Sequence, residues 1–328
     1  MENKKKYLDC SYLKNSLHFF FDNVRACCSN VSGIVFYKDF ENVAIDLDTI
    51  FSMRKQVLEN INEERYPNGI PYFCENCCKT DEFLSDKKIE KIEHKINTIF
   101  FQNTMACNAH CCYCVFRDER GNKQLYSVLP IVKELIARDL IAENSIFYMS
   151  GGEITISPEF EELFSLLSNY KNSFIEVFTS GIKYSEAIKQ SFVNDRTSLV
   201  ISLDAGSRET YKKVKDVDCF DKVVNNIKTY VDFSENAKKK ILLKYILVDN
   251  VNDNAEELQK FVNVVSDLGI ERIRLDFDYD KYNFRNHIKV PEHYFYLYDE
   301  FNKMCSEKNL TVLQEQQCQS ILDYSREK

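Results

Sequence analysis

A regular alternation between apolar runs and segments with helical spacing begins near residue 96, and it limits the fold of this chain more than any other feature. The strand-like segments lie at 98–102, 145–150, 174–178, 198–203, 241–248 and 272–276, and most of them are apolar runs. The segments with apolar residues every three or four positions lie at 126–140, 158–167, 220–231 and 255–268. Strands that alternate with helices of this length predict βαβ units and a parallel sheet. Six such strands predict an α/β fold, a partial (βα)6 barrel.

Three cysteines follow the first predicted strand in a C-x3-C-x2-C pattern: Cys107, Cys111 and Cys114. Thiolates this close together can hold three irons of a cubane cluster. Iron–sulfur clusters normally take four cysteines, so this pattern leaves one iron open to bind a substrate or cofactor. A zinc knot is the alternative, although zinc sites usually pair C-x2-C units with a fourth ligand.

Polar residues recur where the predicted strands end. Ligands of parallel α/β folds gather at the carboxyl ends of the strands. The residues at these ends are Ser150-Gly151-Gly152-Glu153 after the second strand, Thr179-Ser180-Gly181 after the third, Ser202 and Asp204 after the fourth, and Asp276 and Asp278 after the sixth. The sequence therefore predicts a binding site along this rim.

With these motifs, the chain resembles the radical S-adenosylmethionine (SAM) superfamily. The cysteine motif matches that family's signature, with Asn108 after the first cysteine and the aromatic Tyr113 before the third. Gly151-Gly152-Glu153 matches its glycine-glycine-glutamate turn. The resemblance covers about 96–278 and implies a TIM-like partial barrel of the radical SAM type.

The resemblance also implies a role for each residue of the rim. Cys107, Cys111 and Cys114 would ligate a [4Fe–4S] cluster whose open iron binds SAM. Gly151 and Gly152 allow close backbone approach, and Glu153 offsets the charge of the methionyl amino group. The ribose or methionyl carboxylate would be bonded by Ser180, Ser202 and Asp204, and the adenine would be bordered by Tyr113 and the sixth strand near Leu275.

The implied reaction is reductive cleavage of SAM to a 5′-deoxyadenosyl radical, which takes a hydrogen atom from a peptide or small-molecule substrate. The reductant would be a flavodoxin or ferredoxin. A redox-neutral epimerase or isomerase is an alternative, with Cys219 or Cys305 as candidate hydrogen donors. The alternative from another class is a non-catalytic iron–sulfur electron carrier or zinc-stabilised scaffold.

A second group of cysteines lies in the first ninety residues. A predicted hairpin at 17–28 and a predicted helix at 47–61, which carries Arg54, separate Cys10 from a terminal C-x2-C pair. The pattern resembles the SPASM or twitch modules of radical SAM enzymes. A second [4Fe–4S] cluster would be held by Cys10, Cys27 or Cys28, Cys74 and Cys77, with zinc as the alternative. Such a cluster could accept an electron from the substrate radical, so the enzyme would be of the oxidoreductase type.

Composition narrows the class of protein further. The 328 residues carry a net charge of −8, which argues against nucleic acid as a partner. No apolar stretch approaches the length of a membrane span and no signal peptide is recognisable, so we expect a cytoplasmic protein. In a reducing compartment, thirteen cysteines indicate ligands or catalytic groups rather than disulfides. We expect a cysteine-rich α+β module over 1–90, the core barrel over 91–285 and a helical extension over 286–328.

Overall fold

A computed structural model describes residues 7–8, 14–25, 35–37, 46–60, 84–85, 95–117, 126–282 and 288–326. The chain divides into two compact units. The first comprises residues 1–104, 123–152 and 169–175, and the second comprises residues 105–122, 153–168 and 176–328.

The first unit contains a mixed sheet, with parallel and antiparallel pairs of strands. Its described strands are β1 (Tyr7–Leu8), β2 (Ser16–Phe20), β3 (Val24–Arg25), β4 (Val35–Tyr37), β5 (Leu84–Ser85), β6 (Ile96–Gln102) and β7 (Ile141–Met149). Its described helices are α1 (Leu47–Asn60) and α2 (Leu129–Ala137). The strand order is β7-β6-β2-β3-β4, and β1 pairs with β5 separately. The pairs β6–β7 and β2–β6 are parallel, whereas β2–β3 and β3–β4 are antiparallel.

The hairpin predicted near the amino terminus is confirmed, and it has a neighbour that the sequence did not predict. β2 pairs with β3 antiparallel, with Phe19 opposite Val24. β2 also pairs in parallel with β6, where Phe19 lies beside Phe101 and their rings stack at 5.7 Å. This burial of aromatic rings makes the hairpin part of the sheet next to the first strand of the core.

The second unit carries most of the helices. Its elements are α3 (Phe160–Ser168), the end of β8 (Phe174–Thr179), α4 (Glu186–Ser191), β9 (Thr197–Ser202), α5 (Arg208–Lys215), α6 (Phe220–Phe233), α7 (Glu235–Lys240), β10 (Ile241–Leu247), α8 (Ala255–Asp267), β11 (Arg272–Phe277), α9 (Glu292–Glu307), β12 (Thr311–Val312) and α10 (Gln316–Arg326). The strand order is β8-β9-β10-β11-β12, and the β9–β10, β10–β11 and β11–β12 pairs are parallel.

The two faces of this second sheet differ in character. Ile201, Leu243 and Ile273 are register partners on β9, β10 and β11, and all three are fully buried. One residue further along, the partners are Ser202, Lys244 and Arg274. Because side chains alternate between faces along a strand, one face of the sheet is apolar and the other carries polar and charged groups.

The α/β class and all six predicted core strands are confirmed, with ends that differ by a few residues. The helices α4, α5 and α7 were not predicted. The segment 288–326 contains α9, β12 and α10, and its separation from the core as a helical extension stays a prediction. Within the residues described above, no helix has the length and apolarity needed to cross a bilayer.

Candidate functional site

The cysteine loop is held on the end of helix α5. The backbone N–H of His110 donates to the carbonyl of Lys215 at 2.8 Å, and that of Cys112 donates to the carbonyl of Val214 at 2.9 Å. Carbonyls in the last turn of a helix have no partner within the helix, so these bonds satisfy both elements at once. They fix the backbone on either side of Cys111.

The three cysteines of the motif are half-buried, and none of them forms a disulfide with another described cysteine. They lie on one loop, within which Cys114 N–H donates to the carbonyl of Cys111 at 3.1 Å. In the part of the chain that the structure describes, no group of three or more Cys, His, Asp or Glu side chains is arranged to hold a metal ion. The fit to an iron–sulfur cluster rests on the donor set, because cysteine thiolates are the ligands that such clusters take and three cysteines lie on this one loop.

The glycine turn after β7 requires glycine at its first position. Gly151 has φ +116°, and a Cβ added there would lie 2.8 Å from the carbonyl oxygen of Thr104. The next residue, Gly152, donates its N–H to that same oxygen at 2.8 Å. The turn therefore lies tightly against the backbone that leads into the cysteine loop, and a side chain at Gly151 would break this approach.

Glu153 is fully buried and collects hydrogen bonds. Its Oε1 accepts from the hydroxyls of Thr155 at 2.6 Å and Thr179 at 2.7 Å, and also from Thr155 N–H at 3.3 Å. Its Oε2 accepts from Ser180 N–H at 2.6 Å. One oxygen is saturated, whereas Oε2 retains room for one further donor.

Ser180 connects this carboxylate to the cysteine loop. Its hydroxyl donates to Asn108 Oδ1 at 3.0 Å, while its backbone N–H is bound to Glu153. The backbone N–H of Glu153 in turn donates to the carbonyl of Ala106 at 2.7 Å. The structure thus brings together three residues that the sequence predicted from separate motifs, Glu153, Ser180 and Asn108.

Asp204 ends the fourth core strand in a left-handed conformation, with φ +57°, and is fully buried. Its Oδ2 accepts from the Tyr113 hydroxyl at 2.6 Å and from the ammonium of Lys215. Its Oδ1 accepts from Ile246 N–H at 2.9 Å. Burial alone would lower the pKa of Lys215, but the charges of Asp204 and Cys111 and the hydrogen bond to Asp204 together outweigh it, so the pKa is raised. The sequence predicted Asp204 and Tyr113 but not Lys215, which joins them.

Ser202 lies on the polar face of the second sheet beside Lys244. Burial lowers the pKa of Lys244, and its ammonium has no hydrogen bond or ion pair within the described ranges. On the neighbouring strand Asp276 Oδ2 lies 2.9 Å from Arg274 Nε. Lys244 is a second residue of the site that the sequence analysis missed.

Leu275 lies on the opposite face of the sheet from Ser202. Its register partner is Tyr245, so its side chain lies on the apolar face and is buried. Its carbonyl accepts from the Tyr298 hydroxyl at 2.9 Å. On this strand, the residues that share the face of Ser202 are Arg274 and Asp276. That the sixth strand borders adenine stays a prediction.

The other predicted cysteines divide into two groups. The residues proposed for a second cluster lie outside the described residues: Cys10, Cys27, Cys28, Cys74 and Cys77. Of the candidate hydrogen donors, Cys219 is half-buried and Cys305 is buried. Burial raises the pKa of Cys305 to about 12, as expected for a thiol packed in an apolar helix interface.

Residues 104–265 match the family model of the Radical SAM superfamily, and this range contains the cysteine motif, Glu153, Ser180, Ser202 and Asp204. The chain belongs to the radical SAM superfamily, and its mostly parallel α/β fold is that of the family's partial barrel. Family membership implies a [4Fe–4S] cluster and SAM.

Two curated relatives are named Probable GTP 3′,8-cyclase. The protein of Saccharolobus solfataricus is 27% identical over 187 residues, which cover 57% of this chain and 58% of that protein. The protein of Saccharolobus islandicus is 27% identical over 190 residues, with the same two shares. The match therefore spans less than two thirds of the length of these relatives.

Two solved structures of Streptococcus suis SuiB share the fold. SuiB bound to the precursor peptide SuiA has a TM-score of 0.55 and 13% identity, and the match covers 87% of this chain and 58% of that chain. SuiB bound to S-adenosylmethionine has a TM-score of 0.53 and 15% identity, with shares of 84% and 57%. At this identity the likeness concerns the fold alone.

Proposed function

We propose that this chain is an enzyme that reductively cleaves SAM and abstracts a hydrogen atom from a peptide substrate. The observation that carries the proposal is the cysteine loop, which presents three thiols while its backbone is tied to α5 and to Glu153. The family match over residues 104–265 supports it, because that segment contains the loop and the strand-end residues.

Cys107, Cys111 and Cys114 would hold the cluster. When bound, the cluster supplies one electron that breaks the C5′–S bond of SAM, and the resulting 5′-deoxyadenosyl radical removes a hydrogen atom from substrate. The chain's own contribution is to place the thiols and to keep the loop in one position. The bonds from His110 and Cys112 to α5 serve this purpose.

Glu153 is suited to receive the methionyl ammonium. Its Oε2 accepts one bond from Ser180 and keeps capacity for another, and a buried carboxylate favours a cationic donor. Gly151 and Gly152 have no side chain that would obstruct the approach of the methionyl ammonium. Asp204 is already engaged by Tyr113 and Lys215, so we propose that it acts by orienting Tyr113; a direct contact with SAM stays a prediction.

The polar row Ser202–Lys244–Arg274 is suited to an anionic group. Arg274 is paired with Asp276 and Glu315, whereas the ammonium of Lys244 has no partner in the described part of the chain. We propose that Lys244 and the Ser202 hydroxyl receive the methionyl carboxylate. A charge-assisted hydrogen bond of this kind is about twice as strong as a neutral one.

A peptide is favoured as substrate because SuiB, which shares the fold, was solved with its precursor peptide. The substrate of this chain and its reductant, a flavodoxin or ferredoxin, are proposals. A redox-neutral epimerase is the alternative outcome. It predicts deuterium from solvent at one carbon of the product, whereas net oxidation predicts none.

The cluster assignment is tested by iron and sulfide analysis of anaerobically reconstituted protein, together with electron paramagnetic resonance of the reduced protein before and after SAM is added. We expect the wild-type signal to change on SAM addition, because SAM binds the open iron. Cys111→Ala should lose the part of the signal that responds to SAM. The matched control is Cys112→Ala, which removes a half-buried thiol of the same loop outside the motif. A Cys111→Ala protein with undiminished iron would overturn the assignment.

We also propose that Cys10, Cys27 or Cys28, Cys74 and Cys77 hold a second [4Fe–4S] cluster that accepts an electron from the substrate radical. The spacing of these cysteines and the radical SAM domain that follows them support this proposal. Metal analysis decides between cluster and zinc: about eight irons per chain support the second cluster, and about four irons with one zinc oppose it.

A further inference from the structure

The end of strand β8 binds both oxygens of the Glu153 carboxylate. Thr179, the last residue of the strand, donates its hydroxyl to Oε1 at 2.7 Å. The next residue, Ser180, donates its backbone N–H to Oε2 at 2.6 Å. Because consecutive residues of one strand bind the two oxygens, the plane of the carboxylate is fixed relative to β8. Thr179 is β-branched, so its χ1 angle is stiff and its hydroxyl has a defined position.

A backbone hydrogen bond orients the Thr179 hydroxyl. The N–H of Gly181 donates to the hydroxyl oxygen at 3.0 Å. A hydroxyl has one hydrogen to donate, and an ionised carboxylate can only accept. The hydroxyl of Thr179 therefore accepts from Gly181 and donates to Glu153, and the direction of this short chain of hydrogen bonds is set by the backbone.

A second hydroxyl reaches Oε1 from the residues that follow Glu153. Thr155 lies in the short 3₁₀ helix Ile154–Ile156, and its hydroxyl and its N–H both donate to Oε1, at 2.6 and 3.3 Å. Oε1 is therefore saturated, whereas Oε2 accepts from Ser180 alone within the described residues. One acceptor position of Oε2 stays available to a further donor.

The donors that bind Glu153 are all neutral. Glu153 is fully buried, and it forms no ion pair with any residue that the structure describes. The ammonium of Lys183 binds the backbone carbonyl of Thr155 at 2.7 Å instead. Buried charges in proteins are normally paired. The arrangement therefore leaves the negative charge of Glu153 for a cationic ligand.

We propose that Thr179 and Thr155 are positioning residues that act through Glu153 and set the affinity for SAM. Their hydroxyls engage Oε1 and fix the plane of the carboxylate, so that the remaining position of Oε2 is available to the methionyl ammonium. The inference rests on the proposed function, in which Glu153 receives that ammonium. Hydrogen bonds are stronger in a buried site than in water, so loss of an orienting hydroxyl should weaken SAM binding.

Thr179→Val removes the hydroxyl and keeps the shape of the side chain. We expect the Kd for SAM of the reconstituted protein to rise severalfold, up to the roughly tenfold that one charged hydrogen bond contributes, at unchanged iron content. Thr179→Ser keeps the hydroxyl and should bind SAM nearly as tightly as wild type. The matched control is Ser191→Ala, which removes a hydroxyl bound to the carbonyl of Ile188 at 2.6 Å. Ser191 and Thr179 have the same exposed fraction of 8%, and the control should keep the wild-type Kd.

A double-mutant cycle separates positioning from a purely structural role. Glu153→Gln should raise the Kd by itself, and adding Thr179→Val to it should raise the Kd no further, because the hydroxyl acts through the carboxylate. A wild-type Kd in Thr179→Val would overturn the inference, as would an equal rise in Thr179→Ser. Independent effects of Thr179→Val and Glu153→Gln would also reject it.

Thr155→Val keeps the inference testable if Thr179→Val does not fold, because it removes the other hydroxyl from the same oxygen. A wild-type Kd in that variant then rejects the inference. Failure of the proposed function gives a different result, since the wild-type protein would carry no cluster or bind no SAM. An unchanged Kd in Glu153→Gln rejects Glu153 as the partner of the ammonium, and the inference with it.

Discussion

Lys215 donates a hydrogen bond from its ammonium to the carboxylate of Asp204, and the exposed fractions of the two side chains are 1% and 0%. The pair joins the end of helix α5 to the end of strand β9. Because the carbonyl of Lys215 also accepts from His110, this one residue ties the cysteine loop to the strand end. The position of the loop therefore depends on a buried ion pair.

Removing one charge of this pair should lower the stability of the folded protein. Lys215→Met leaves Asp204 buried without its cation, and we expect a loss of about 3–5 kcal/mol in the free energy of unfolding. Chemical denaturation measures it. Lys213→Met, at an exposed position of the same helix, is the control and should change stability by no more than about 0.5 kcal/mol. Equal stability of the two variants would show that the pair contributes nothing.

Gly151 should tolerate a side chain less well than another glycine with positive φ. Gly151→Ala places a Cβ 2.8 Å from a backbone oxygen, whereas a Cβ at Gly269 would meet only the Lys238 side chain at 3.6 Å. We expect Gly269→Ala to cost about 1 kcal/mol from backbone conformation, and Gly151→Ala to cost more because the backbone must also shift. Thermal melts of both variants test this order. It is wrong if Gly269→Ala melts at the lower temperature.

Lys244 should affect SAM affinity without affecting the cluster. Lys244→Met removes the ammonium proposed for the methionyl carboxylate, so the Kd for SAM should rise about tenfold or more, the value of one charged hydrogen bond. Equilibrium binding to reconstituted protein measures it, with iron content as a check. Lys239→Met, an exposed lysine before the same strand, should bind SAM as wild type does. An unchanged Kd in Lys244→Met would assign the carboxylate to another residue.

Glu176 should make stability depend on pH. Burial raises the pKa of its carboxyl above the ordinary value of 4.5, and the opposing charges of Arg274 and Arg272 do not cancel this. The folded state therefore binds the proton more tightly than the unfolded state. This contribution to stability is complete below about pH 4.5 and is lost as pH rises through the higher folded pKa. Glu176→Gln should be more stable than wild type at pH 7.

The comparison for Glu176→Gln is a pair of denaturation series at acidic and neutral pH. The variant's advantage should shrink toward acidic pH, where the wild-type carboxyl is protonated as well. An advantage that stays constant with pH would show that the titration of the carboxyl does not set the effect of the substitution.

Most of the six core strands were predictable because they are largely apolar runs, whereas the sixth alternates charged and apolar residues. Helix α5 was not predictable, because Arg208–Lys215 is mostly charged and buries only three residues. Its role in holding the cysteine loop depends on long-range contacts, and a local sequence pattern does not predict such contacts. For the same reason Lys215 could not be distinguished from its helical neighbours Lys212 and Lys213.

The motifs of the site could be predicted from the sequence, but the face of the sheet on which each site residue lies could not. Glu153, Ser180 and Asn108 meet as their strand-end positions suggest. Ser202 and Leu275 lie on opposite faces of the sheet, which depends on the register between β9, β10 and β11. Register is set by packing and pairing across the sheet, so the sequence of one strand does not reveal it. For this reason the sequence did not identify Lys244 as a candidate site residue.

The most direct test of the central claim is the formation of 5′-deoxyadenosine from SAM by anaerobically reconstituted protein with dithionite. We expect the wild-type protein and Cys112→Ala to form 5′-deoxyadenosine. Cys111→Ala should form none, because Cys111 belongs to the proposed ligand set and Cys112 does not. If the wild-type protein carries its cluster and forms no 5′-deoxyadenosine, or if Cys111→Ala forms as much as wild type, the claim is contradicted.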